Sequence, residues 1–311
     1  MRYSLLPVAL AATASAHGLV TRIQGANGVV MPGLSVTDGT PRDCSSNGCG
    51  SQADTAIIRD RDISSGRASP LGRTQGNGPI DAGAAINIFM GMSNGASAPT
   101  NNGASGAAGQ EDDLSQLQQN QQRQQRRDED KRQLGRLMNI LGAGRAGAAG
   151  GAAGRGNKNN AGPETMVADT AGEGASNGLP TANENGEVTV IYRQINQDGA
   201  GPLTAAIDAK SGGTDASAFQ NARVTQNVPG LGFGGLSLAT NTDFPVKVQM
   251  PQGMTCDGKA GAAENVCIVR LQNGAAAGPF GGSAAFTQSQ GARKRAIAYR
   301  LKKRMELNNR D

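Results

Sequence analysis

Apolar residues in this chain come in short bursts separated by Gly, Pro and Asn, and no sustained helical period runs through it. Val20, Ile23 and Val29-Val30 mark a first strand and turn, with Gly25, Asn27 and Gly28 as turn formers. Pro79 to Phe89 is a further core segment. Val188 to Ile195 carries β-branched and aromatic residues at strand density. Leu203–Ile207, Ala222–Val228 and Val266–Leu271 read as strands, and Phe244–Met250 alternates apolar with polar. Phe280 and Phe286 flank what reads as a glycine turn. Short strands divided by turns predict a mainly β fold, a disulfide-stapled immunoglobulin-like β-sandwich with a long low-complexity insertion.

The pattern lapses between the two groups of strands. Residues 93–186 are poor in apolar side chains and built from Gly, Ala, Asn and Gln, which predicts a disordered insertion. Within it, 111–141 is helix-like. Glu111, Asp112 and Asp113 open it, as suits a helix dipole, and Gly142 is a stop. Its Gln/Arg middle has no apolar stripe, so a full-length packed helix is not expected. The organisation is therefore 1–16 a leader, 17–92 and 187–290 two halves of one β domain, 93–186 the insertion and 291–311 a basic tail. Asp54 to Ile63 sets four charged residues, Arg59 to Asp62, among isoleucines and reads as a solvated turn.

The leader has the parts of a secretory signal peptide. Arg2 is the positive end, Leu5 to Ala12 the apolar run, and Ala14-Ser15-Ala16 a small-x-small cleavage site. The apolar run is too short to span a bilayer. These features predict a secreted, extracellular protein without a transmembrane segment. Cleavage after Ala16 would make His17, the only histidine, the first residue.

Composition narrows the function. Aromatics are 3% of the chain and Trp is absent, so no flat polysaccharide-stacking face is expected. The four cysteines, Cys44, Cys49, Cys256 and Cys267, suit two disulfides in an exported protein. Local pairing is the simplest of the possible connectivities. The net charge of +5 is concentrated in 291–311, where eight Lys and Arg face two acids. The body is close to neutral, which argues against nucleic-acid binding. Arg293-Lys-Arg295 is a sequence a secretory-pathway endoprotease could cut, and Ile297, Leu301 and Met305 are spaced as on an amphipathic helix. A disordered or removable tail is the favoured expectation.

Four stretches carry a resemblance. They are His17-Gly18, Val36-Thr-Asp-Gly-Thr-Pro-Arg-Asp-Cys44, Asp54-Thr-Ala-Ile-Ile-Arg-Asp-Arg-Asp-Ile63, and Cys267 to Ser283 with its Ala-Gly-Pro-Phe-Gly-Gly run. In them the chain resembles the Egh-type, or appressorium-specific, secreted fungal virulence factors. The resemblance covers both ordered halves and skips the middle. It implies secretion and a role in host penetration, and no established reaction. The family pattern has cysteines where this chain has Leu271 and Ser283, which fits loss of one disulfide as a unit.

A first-residue histidine also resembles the lytic polysaccharide monooxygenases, whose terminal amine and imidazole hold copper. Amine and imidazole nitrogens suit Cu(II), which wants a further in-plane ligand. There is no second histidine, so His17 would need a carboxylate such as Asp54, Asp60, Asp62 or Asp81. Copper at His17 is the alternative cofactor reading. Paired-carboxylate hydrolysis lacks a substrate platform, and a Ser/His/Asp triad lacks a nucleophile elbow. The leading expectation is an infection-stage protein without catalysis, whose partner is cell-wall polysaccharide or a host surface protein. A structural wall protein anchored by its basic tail is the third reading.

Overall fold

The computed structural model describes residues 17–93, 98–101, 152–230, 237–275 and 278–308. The leader and the helix-like stretch 111–141 lie outside the described residues. The first half of the domain contributes β1 (Gly18–Gln24), β2 (Val30–Pro32), β3 (Ala56–Ile57), α1 (Asp60–Ser64), β4 (Arg73–Thr74), β5 (Gly78–Pro79) and α2 (Ala82–Phe89). Short pieces follow: β6 (Ala152–Ala153), β7 (Asn157–Lys158), α3 (Met166–Asp169), α4 (Glu173–Asn177) and β8 (Thr181–Ala182). The longer strands are β9 (Glu187–Gln194), β10 (Thr204–Asp208), β11 (Phe219–Asn227) and β12 (Thr242–Gln249). β13 (Gly258–Ala260), β14 (Ala263–Gln272) and β15 (Phe280–Gln288) follow, and α5 (Gln290–Asn308) ends the described chain.

The expected mainly β, disulfide-stapled fold is present, and its strands belong to one hydrogen-bonded sheet. The path runs β2-β1-β9-β12-β11-β10-β14-β15-β3-β4-β5, antiparallel throughout. β11 turns the corner. Phe219–Ala222 pair with β10, Arg223–Gln226 pair with β12, and the register shifts between Val224 and Gln226. A bulge bends and twists a strand in this way. The β2–β1 end of the path then folds over onto β15, three strands from the other end: β1 lies against β15, and Leu34 N–H donates to the Ser283 carbonyl at 2.8 Å. Val20, Val190, Tyr192, Val246, Ile207, Val269, Leu271 and Phe286 fill the space enclosed, all buried.

Both disulfides are local, Cys44–Cys49 and Cys256–Cys267. The second staples the run into β13 onto β14. Leu271 and Ser283 do not occupy a missing third bridge between them. Leu271 stands opposite Gly282, and Ser283 opposite Arg270. Directly opposed residues share a face and neighbours alternate, so Leu271 and Ser283 point to opposite faces of the sheet. Cysteines at these two positions would not bridge each other.

Four regions differ from the sequence-based expectation. Phe280 to Phe286 is not a glycine turn but a buried strand. A Cβ on Gly281 would sit 1.9 Å from the Leu271 carbonyl oxygen, and one on Gly282 2.7 Å from the Val20 nitrogen. Glycine is used there for close backbone approach, a second role of glycine in strands. Asp54 to Ile63 is not a solvated turn: Asp54, Ile57, Ile58 and Asp62 are buried. Described structure resumes at Ala152 rather than Glu187, and β6 and β7 already pair with β11 and β12.

The basic tail is a helix over Gln290–Asn308, not a disordered segment. Its first turns dock. Ala292 is buried, Arg293 donates to the Cys256 carbonyl at 2.6 Å and pairs with Asp257 at 2.7 Å, and Arg295 donates to the Glu184 carbonyl at 2.6 Å. Further along, Leu301, Met305 and Leu307 are exposed.

Candidate functional site

β1 begins at the edge of a small buried cluster that gathers the sequence motifs. The His17 ring lies against the Phe280 ring, centroids 4.4 Å apart. The His17 backbone N–H donates to Asn196 Oδ1 at 2.8 Å, and its carbonyl accepts from the Ile195 N–H at 3.1 Å. Gly199 packs so tightly on that carbonyl that a Cβ would stand 2.0 Å from it. Beside it the Tyr192 hydroxyl donates to the Gly199 carbonyl at 3.0 Å. Complete burial raises the Tyr192 pKa well above the ordinary phenol value, so it stays a neutral donor.

Phe280 also ties in the Asp54–Ile63 stretch. It pairs with Ile57 in the β3–β15 register, and Ile57, Ala275 and Phe280 form one apolar cluster. The Ile58 N–H donates to the Pro279 carbonyl at 2.9 Å, and Arg59 Nε donates to the Gly278 carbonyl at 3.2 Å. Pro279 follows a cis peptide bond from Gly278.

The Val36–Cys44 stretch joins through charge. Arg42 grips Asp54 with two bonds, Nη1 to Oδ1 at 3.0 Å and Nη2 to Oδ2 at 2.5 Å. Its Nε donates to Glu164 Oε2 at 3.0 Å. Asp54 also accepts from the Thr37 N–H at 3.2 Å. Burial alone would lower the Arg42 pKa, but the facing carboxylates of Asp54 and Glu164 raise it above the ordinary arginine value. Next to it Arg193 donates to the Arg42 and Asn159 carbonyls and pairs with Asp243 at 3.4 Å. Burial lowers the Arg193 pKa, with Asp243 opposing. Asp38 accepts from the Val167 and Ala168 N–H groups at 3.0 and 2.8 Å, fixing the start of α3.

The structure therefore brings His17, Phe280, Ile57 and the Arg42–Asp54 pair into one buried block. Of the candidate copper-binding carboxylates, only Asp54 belongs to that block. Asp54 is committed to Arg42. Asp62 is held by Arg67 at 2.7 Å, with Arg73 and Arg61 at 3.6 and 3.7 Å. Asp81 accepts from the Gly83 and Ala84 N–H groups at the start of α2. Among the described residues no three His, Cys, Asp or Glu side chains cluster as a metal site would require. His17 is only 3% exposed. The arrangement ties the start of the first strand to the 195–199 loop and to Phe280 of β15.

Arg42, Glu164, Arg193 and Asp243 are the parts of this block that the sequence pattern does not single out. Arg42 does lie in the Val36–Cys44 stretch that carries the resemblance, but Asp38 and Asp43 beside it give no sign of a more distant partner. Glu164 lies 122 residues away, and nothing local marks it as the partner.

These are the buried anchors of an Egh16-like protein: the model of the Egh16-like virulence factor family matches residues 15–281, and the chain belongs to that family. It is 51% identical over 307 residues to the appressoria-specific virulence factor GAS2 of Pyricularia oryzae, covering 98% of this chain and 95% of the relative. It is 36% identical over 129 residues to the appressoria-specific virulence factor GAS1 of the same species, covering 40% of this chain and 50% of that relative. No solved structure matches the chain.

Proposed function

We propose that this protein is a secreted, infection-stage virulence factor. It acts at the fungal cell wall or the host surface by binding, without catalysis. The observation that carries the reading is the 51% identity, along almost the whole chain, to a protein named for its place in appressoria. Two features support it. The paired cysteines suit an oxidising compartment, and no described helix is long and apolar enough to cross a membrane. The motif residues point the same way. His17 is buried and tied to Asn196 and Phe280, and Arg42 and Asp54 are buried and bonded to each other, an arrangement that holds a shape for a partner.

The test is gene deletion in the fungus that makes the protein, with complementation by tagged wild-type protein and by His17→Gln. Reduced plant penetration, restored by both versions, with the tag recovered outside appressorial cells, is expected. Full virulence of the deletion strain, or a tag confined inside hyphae, overturns the reading. Failure of a stably folded His17→Gln protein to complement overturns the non-catalytic part and returns attention to copper.

A further inference from the structure

A cavity of about 440 Å³ opens beside the block just described. This lies within the range of about 300–1,000 Å³ usual for small-molecule sites. Met31 and Val36 contribute from β2 and the loop after it, Ile80 from the turn before α2, Ala85 and Ile88 from α2, and Val167 from α3. The wall is therefore mostly apolar. α2 forms because Asp81 caps it, and its inward residues Ile86 and Phe89 sink into the core. Ala84, Ala85 and Ile88 remain on the cavity side, and the small alanines leave the space open.

The polar groups in the wall are nearly all spoken for. Thr37 Oγ1 accepts from Asn77 Nδ2 at 2.9 Å and donates to the Ser35 carbonyl. Asn87 Oδ1 accepts from the Ala262 N–H at 2.7 Å. Asp81 is the one ionisable wall residue among the described residues, and it already receives two backbone N–H groups. Ser35 is the exception. It is 6% exposed and its hydroxyl has no hydrogen-bond partner among the described residues. A buried hydroxyl left unpaired is unfavourable by an amount comparable to a lost hydrogen bond.

We propose that this cavity binds a neutral, largely apolar small molecule carrying one hydroxyl or carbonyl group, which pairs with Ser35. An anionic ligand is disfavoured because, among the described residues, no lysine or arginine lines the wall to meet it. The proposal stands apart from the infection-stage reading, and binding can be measured on the purified protein whatever its role in the host.

The test uses the full chain and a neutral fluorescent probe, N-phenyl-1-naphthylamine, displaced by 1-dodecanol. Saturable binding of one probe per chain is expected. Ala85→Phe fills the space and should weaken binding by about tenfold or more, with an unchanged melting temperature. Ala84→Trp, at an exposed position on the same wall, serves should Ala85→Phe fail to fold. Ser35→Ala should leave probe affinity unchanged and weaken dodecanol by about three- to tenfold. Non-saturating binding, or affinity unchanged in a folded cavity-filling variant, overturns the site. Dodecanol displacement unaffected by Ser35→Ala overturns the role of the hydroxyl.

Discussion

Arg42 and Asp54 form a two-point ion pair with both side chains sealed from water, 3% and 0% exposed. Such a pair is weak evidence for net stability, but removing one partner strands a buried charge. Arg42→Ala should therefore destabilise the protein by about 3–5 kcal/mol. Replacing both residues together with apolar ones should cost much less than either single change. Urea unfolding of the two singles and the double variant checks this, and additive losses would contradict it.

The tight glycines of β15 predict a contrast between positions. Gly281→Ala drives a methyl group into the Leu271 carbonyl, a backbone group held in the β14–β15 ladder. A loss above about 3 kcal/mol is expected, at the upper end of overpacking effects. Gly274→Ala meets nothing within 4 Å and should change the melting temperature little. Secretion yield and thermal melts of the two variants give the comparison.

Acid sensitivity should trace in part to Asp62. Burial would raise its pKa, but Arg67, Arg73 and Arg61 hold it below its ordinary value of 3.8. A carboxylate with a depressed folded-state pKa contributes stability above the unfolded pKa, and that contribution is lost as pH falls through the folded one. Stability should thus drop below about pH 4, and Asp62→Asn should flatten that part of the profile. Urea midpoints between pH 6 and pH 2 report it, and parallel curves would show that Asp62 is not responsible.

Phe280 supports His17 and Ile57 from β15. Phe280→Ala should cost about 3–5 kcal/mol, as for large core aromatics. His17→Ala should also lower stability. Isothermal titration of the wild type with Cu(II) should show no tight one-to-one event that His17→Ala abolishes. Such an event would revive the copper reading.

The long strands were legible because β-branched residues at β9, β12 and β14 state their conformation locally. The local disulfides were legible for the same reason, since their partners lie 5 and 11 residues apart. The errors come from relationships that are not local. Gly281 and Gly282 look like a turn until Leu271 and Val20 are placed against them. Asp62 looks solvated until Arg67 and Arg73 fold over it. The docked start of α5 depends on Asp257 and Glu184, which no periodicity within 291–311 reveals. At the candidate site, His17 and the Arg42-bearing motif stood out, but Glu164 and Asp243 are found only once the sheet is built.

The sheet interleaves the chain on either side of residues 102–151. β1 sits between β2 and β9, and β3 hydrogen-bonds to β15, while Arg42 reaches across to Glu164. Neither side owns a complete layer. A backbone cut within 102–151 would separate two pieces covalently while each still needed the other to cover its strands. Such a nicked protein should run as two bands on a denaturing gel and as one particle on a sizing column.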